Sequence, residues 1–170
     1  MNERGFSLVE LLVVVSIIAT LLGIATLDFN SWMKKYQTER QTREIYSDIM
    51  QLRLSAMQTK QRCAVFLGSR QCVFKTYSSE SENVLTGGTP RATSSSKSLN
   101  YEIRKKTTSG LNTFDVASDH IEFDSRGFTN NSMTIVVLPV QYNGGDNCIL
   151  VSTARTNIGR MEDANTCSAR

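Results

Sequence analysis

Between Phe6 and Leu27 the chain carries 22 residues with one charged side chain, Glu10. So apolar a run cannot face water on all sides, and whatever the rest of the chain does must accommodate a cover of lipid or protein over it. As an α-helix the run extends about 33 Å at about 1.5 Å per residue, against a hydrocarbon core of about 30 Å. We therefore expect residues 6–27 to form a transmembrane helix. Arg4 lies just before it, and no small-residue cleavage site of the secretory kind lies between the run and Asp28. The helix is thus expected to stay on the protein, with Arg4 on the cytoplasmic side and the C-terminal part carried across the membrane.

The remainder is ordinary globular material. With 40% apolar and 21% charged residues, 170 residues suffice for one modest domain, and disorder throughout is excluded. The net charge of +3, from 19 basic and 16 acidic residues, is too small to diagnose nucleic acid. One histidine, His120, and four cysteines without a C-x-x-C pair give a zinc site too few ligands, so neither metal nor cofactor is expected. Asp115, Asp119, Asp124 and Asp146 do not follow the EF-hand spacing and read as solvated surface acids. His120 follows Asp119, but neighbours on a strand point to opposite faces, which makes it a surface histidine rather than half of an acid–base pair. No nucleophile elbow, P-loop or H-E-x-x-H occurs, so we expect no enzyme. In an exported domain Cys63, Cys72, Cys148 and Cys167 favour disulfides. Three connectivities exist, and joining sequence neighbours, Cys63 to Cys72 and Cys148 to Cys167, is the simplest.

Glu10 is costly where it stands, since an acid at a helix centre in the bilayer costs about 2.5–3.5 kcal/mol, though less near the edge. It either snorkels to the headgroups or meets a cation within the membrane. Arg4-Gly5-Phe6-Ser7-Leu8-Val9-Glu10-Leu11-Leu12 resembles the class III signal of type IV pilins and pseudopilins. The resemblance implies cleavage by a prepilin peptidase after Gly5, N-methylation of Phe6, and pairing of Glu10 with the terminal amine of a neighbouring subunit's Phe6. The physics agrees: cleavage would free an ammonium at the depth of the Glu10 carboxylate. Two charges that are each expensive in lipid would then reward helix stacking, although burial limits the net gain.

Beyond the apolar run, Ile45, Ile49, Leu52 and Ala56 recur at intervals of four, three and four, one face of a helix expected to continue to about Thr59. No proline occurs before Pro90, and Glu39 and Arg43 form an i,i+4 pair on the charged side. Many pilins bend this helix at a proline; here Gly23 is the only soft point. Cys63–Leu67 and Cys72–Tyr77 read as a hairpin about Gly68–Gln71, and Ser78–Ser98 as an exposed Ser-, Thr- and Gly-rich loop. Strands are predicted at Leu99–Arg104, His120–Asp124, Met133–Val140 and Cys148–Thr153, the last followed by Ile158-Gly159-Arg160-Met161, with turns at Gly127 and Gly144–Asp146. The fold class is α+β: a long N-terminal helix, transmembrane in its first half, packed on a mainly antiparallel sheet as in pilins. The expected divisions are a leader at 1–5, a transmembrane and filament-core helix at 6–27, its amphipathic continuation at 28–60, and a β-rich domain outside the cytoplasm at 61–170.

Ile121–Gly127, the following hairpin, Ile149–Ser152 and Gly159-Arg160 are similar to the FimT/GspH-like minor pilins and pseudopilins. That likeness implies a disulfide loop from Cys148 to Cys167, as in many pilins. It also raises DNA binding, which some FimT-like proteins achieve through Gly-Arg-x-Arg. Here Gly159-Arg160-Met161-Glu162 replaces the second arginine with an acid, leaving Arg155, Arg160 and the run Arg104-Lys105-Lys106 as a diffuse cationic set. The expected function is a minor pilin that helps initiate a type IV pilus and enters at or near its tip. The alternatives are a GspH-like minor pseudopilin of a type II secretion system and, less favoured, a DNA-uptake pilin. The implied partners are other major and minor pilins or pseudopilins, a prepilin peptidase, an inner-membrane assembly platform and inner-membrane lipid.

Overall fold

The computed structural model describes residues 7–79, 81–90, 96–140 and 144–169, with backbone alone for residues 24–28 and Pro90. The chain forms two units, Met1–Tyr36 and Gln37–Arg170. Helix α1, Leu8–Thr59, contributes to both. It starts where the Leu11 amide donates to the Ser7 carbonyl and passes Gly23 without interruption. It ends at Thr59, after which Lys60 adopts φ 56°, the left-handed conformation that commonly closes a helix.

In the second unit the expected stripe is the buried one. Ile45, Ile49, Leu52 and Ala56 are each at most 2% exposed. They share one cluster with Cys63, Val65, Leu67 and Phe74 from one sheet and Ile103, Ile135, Val137, Ile149 and Val151 from another. Full burial of such side chains contributes about 1.5–3 kcal/mol each, so this face is what holds the helix to the sheets.

A single sheet was expected; among the described residues there are two, with all pairings antiparallel. The first contains β1 (Cys63–Leu67), β2 (Gln71–Thr76), β3 (Thr89–Pro90), β4 (Ser96–Ser98) and β7 (His120–Phe123), in the order β3-β2-β1-β7 with β4 also on β2. The second holds β5 (Ile103–Thr107), β6 (Gly110–Thr113), β8 (Met133–Val137), β9 (Cys148–Val151), β10 (Thr156–Met161) and β11 (Cys167–Ala169), ordered β11-β10-β9-β8-β5-β6. Every residue of β1 is buried, because Val65 and Leu67 face the helix while Ala64 and Phe66 pack with Tyr77 on the opposite side.

Three expectations shift. The segment Ser78–Ser98 contributes β3 and β4 to the edge of β2, whose unpaired backbone groups any extended segment can satisfy. Its first part is held by Glu82, which accepts from the Gly88 amide at 2.6 Å, and by the Tyr77 hydroxyl donating to the Val84 carbonyl at 2.7 Å. The strand predicted at Leu99–Arg104 begins instead at Ile103. Gln41 explains the delay, since its side-chain amide bonds both the N–H and the C=O of Tyr101 at 2.8 Å and takes that residue out of any ladder. The strand predicted to run to Val140 stops at Val137, just before Pro139, which has no N–H to offer.

The turn at Gly127 requires glycine. Its φ is +83°, and a Cβ there would sit 2.8 Å from the Met57 sulfur on α1.

Candidate functional site

The first unit carries the chemistry that the sequence singled out. Large apolar side chains from Leu8 to Leu22 are 45–75% exposed and surround the helix on all sides. A helix that is apolar all round has no water-facing side and calls for a continuous apolar cover. Two hydroxyls on this stretch are already satisfied: Ser16 donates to the Val13 carbonyl and Thr20 to the Ile17 carbonyl, each at 2.8 Å. Such bonds within the helix remove the polar cost of apolar surroundings. Side chains of the run are described from Ser7 to Gly23, and among the described residues no helix is long and apolar enough to cross a membrane. The sequence run itself extends to Leu27.

Glu10 occupies the first turn of α1 and is exposed. The helix dipole favours a carboxylate there, where unpaired N–H groups gather. Gly5 and Phe6, the expected cleavage and methylation positions, lie outside the described residues, so the Glu10–Phe6 pair has no geometry here.

In the second unit Cys148 and Cys167 are disulfide-bonded, 19 residues apart. Cys63 and Cys72 are buried thiols, so of the two expected neighbour pairs the second forms and the first, Cys63 to Cys72, is corrected. The hairpin register is the reason: Cys63 lies opposite Thr76, while Cys72 lies opposite Leu67. Four residues of offset put the two about 13 Å apart along the strands, beyond the roughly 7 Å between Cα atoms that a disulfide spans. Burial, with Asp48 nearby, pushes the Cys72 thiol up to about 12, so it stays protonated and unreactive.

The cationic set is partly neutralised. Arg104 pairs with Glu102 at 2.6 Å and Lys105 with Asp119 at 2.7 Å. Burial works against the Asp119 carboxylate, but the Asp115 amide and Lys105 hold it below the usual range. Arg160 is half-buried, with its Nε enclosed and lacking an acceptor among the described residues, whereas Arg155 is exposed. His120 stacks on Phe66 with ring centroids 5.2 Å apart, and its Nδ1 lies 2.9 Å from the Ser118 carbonyl.

Sequence reasoning found half of one charged cluster. The Glu39–Arg43 pair forms at 2.7 Å, but Arg43 also reaches the buried Asp146 at 3.2 Å. Lys97 is likewise shared by Glu44 at 2.8 Å and Asp48 at 2.5 Å. The first cluster fastens α1 to the loop at Asp146 and the second to strand β4, and only the i,i+4 spacing signalled either.

Residues 1–26 match the prokaryotic N-terminal methylation motif. The fold is similar to that of the minor pseudopilin EpsH from the type 2 secretion system of Vibrio cholerae. Two structures of that protein superpose with TM-scores of 0.56 and 0.54 at 11% identity. They cover 76% and 77% of this chain and 99% of each solved chain. No curated protein sequence matches. The chain is therefore type IV pilin-like in its N-terminal signal and EpsH-like in its fold, with a long helix packed on antiparallel sheets.

Proposed function

We propose that this protein is a minor structural subunit of a pilin-type filament, processed after Gly5, methylated on Phe6 and stored as a single-pass inner-membrane protein with residues 61–170 outside the cytoplasm. The observation that carries this reading is the uniformly exposed apolar start of α1, with Glu10 in its first turn, on a chain whose second unit has a complete core of its own. Residues 6–27 then serve two covers in turn: lipid before assembly and neighbouring helices afterwards. Within the filament Glu10 accepts the amine of an adjoining subunit's Phe6, which fixes axial register. The residues act through packing and pairing, and the activity proposed is assembly rather than catalysis.

Two machines use such subunits. The sequence reading favours a type IV pilus, with a place at or just below the tip. The likeness to EpsH supports the second, a minor pseudopilin of a type II secretion system. Loss of twitching on deletion supports the first and loss of exoprotein export the second.

Glu10→Ala tests the common core. Breaking a buried pair costs about 3–5 kcal/mol, so entry into sheared filaments should fall at least tenfold while cleavage and membrane insertion stay normal. Wild-type incorporation of the variant would remove the basis of the reading. Deleting Gly5 should instead leave an unprocessed, heavier membrane protein, and a mature chain still beginning at Met1 would count equally against us.

A further inference from the structure

We infer that Phe29, Trp32 and Tyr36 form an aromatic anchor that seats α1 in the lipid headgroup layer at the C-terminal end of its membrane-spanning run. The inference rests on the membrane-spanning reading above and adds where the helix stops in the bilayer and what holds it there.

The three rings are 56%, 58% and 55% exposed, an unusual cost for a sequence that could have placed polar residues there. They also touch one another. Phe29 and Trp32 have ring centroids 6.2 Å apart, and Trp32 and Tyr36 stack at 5.8 Å with 13° between planes. At about 100° per residue, spacings of three and four place all three within an arc of about 60° on one side of the helix. They thus form one continuous surface rather than scattered exposed side chains.

Their depths fit a bilayer boundary. Counted from Glu10 at about 1.5 Å per residue, Phe29, Trp32 and Tyr36 lie about 29, 33 and 39 Å along the helix. A hydrocarbon core is about 30 Å thick, and 40–45 Å with headgroups. With the Glu10 carboxylate at one boundary, Phe29, next to Asp28 where the apolar run ends, falls at the other to within one helical turn, Trp32 just past it, and Tyr36 in the headgroup layer once the helix takes its usual tilt of about 20°. Ring polarity rises in the same order: a hydrocarbon ring, an indole N–H, a phenol. Such amphipathic rings favour the membrane interface.

Lys35, exposed and about 60° around the helix from Trp32, flanks the ring stripe, where it complements anionic headgroups. A second helix packed on this stripe would have to strip water from that charge, so lipid is the better occupant.

Trp32 is the sole tryptophan, so intrinsic fluorescence reports this stripe alone. Full-length protein would be reconstituted at low protein-to-lipid ratio in phosphatidylethanolamine–phosphatidylglycerol vesicles and checked by flotation. We expect blue-shifted emission, quenched about twofold or more strongly by lipids brominated near the glycerol than near the chain ends, as an interfacial indole requires. Phe29→Ser/Tyr36→Ser should weaken that quenching and shift emission to the red; an unchanged spectrum would overturn the ladder. If the protein floats but Trp32 is quenched by neither lipid, or best by the deep bromines, the anchor is wrong while the span stands. A blue shift seen only at high protein density would assign the stripe to helix–helix contact and also overturn it. If the protein fails to float, the spanning reading itself falls.

Discussion

Replacing both Cys148 and Cys167 by alanine isolates what the disulfide contributes. The bond closes a loop spanning a sequence separation of 19, for which the chain-entropy account gives about 3 kcal/mol at 25 °C. The native contacts of the tethered strand are few. β11 pairs with β10 at three positions, Gly159 with Ala169, Arg160 with Ser168 and Met161 with Cys167. Ordering backbone costs about 1–2 kcal/mol per residue, so three edge residues barely hold themselves in place without the tether. Alanine is the right probe because Cys148 is fully buried with Val136 and Met161, where a serine hydroxyl would add its own desolvation cost. With a urea slope of about 2 kcal/mol/M, the midpoint of a soluble form beginning at Asp28 should fall by about 1–1.5 M. Amides of β11 should lose hydrogen-exchange protection before those of β9. A midpoint within about 0.3 M of wild type, with β11 still protected, would show that the strand holds through its own contacts and refute the argument.

Leu52→Ala, removing a fully buried helix side chain, should cost about 2–5 kcal/mol, whereas Leu54→Ala at 50% exposure should cost under about 1 by urea denaturation. Gly127→Val should destabilise by more than an ordinary surface change, because it adds both a disfavoured positive φ and a clash with Met57; a neutral result by thermal melting would contradict the geometry. Burial raises the Asp119 and Asp124 carboxyls, but backbone N–H groups with Lys105 and Arg126 outweigh it and hold both below their usual range. Their contribution is therefore complete above the unfolded value of about 3.9 and lost as pH falls through the lower folded values. Stability should drop in acid, less steeply in Lys105→Met, and equal urea midpoints at pH 7 and pH 3 would refute the linkage. Because Arg104 and Lys105 are already paired, the soluble domain should give no DNA mobility shift at low salt; a salt-sensitive shift abolished by Arg160→Ala would revive the DNA reading.

What the sequence made legible follows from how local each signal is. The stripe Ile45–Ile49–Leu52–Ala56 repeats at the helical period, and Ile121 and Phe123 alternate with half-buried neighbours, so both elements announce themselves in a few residues. Strand β5 does not. Arg104, Lys105, Lys106 and Thr107 read as solvent-facing, and the start of the strand is decided by Gln41, 60 residues before Tyr101. Strands β3, β4, β6 and β11 are too short or too polar to carry a period and exist because a neighbouring edge, or a disulfide, supplies what their side chains do not. The same distinction governs the site. A terminal sequence motif is linear and can be read along the chain, as the methylation motif over residues 1–26 is. The Arg43–Asp146 contact joins residues 103 apart and has no linear trace. Glu10 belongs to a third kind: its proposed partner lies on another molecule. The lone acid is informative because the apolar run around it offers nothing to neutralise it, and a charge without a partner among the described residues supports the assembly proposed above.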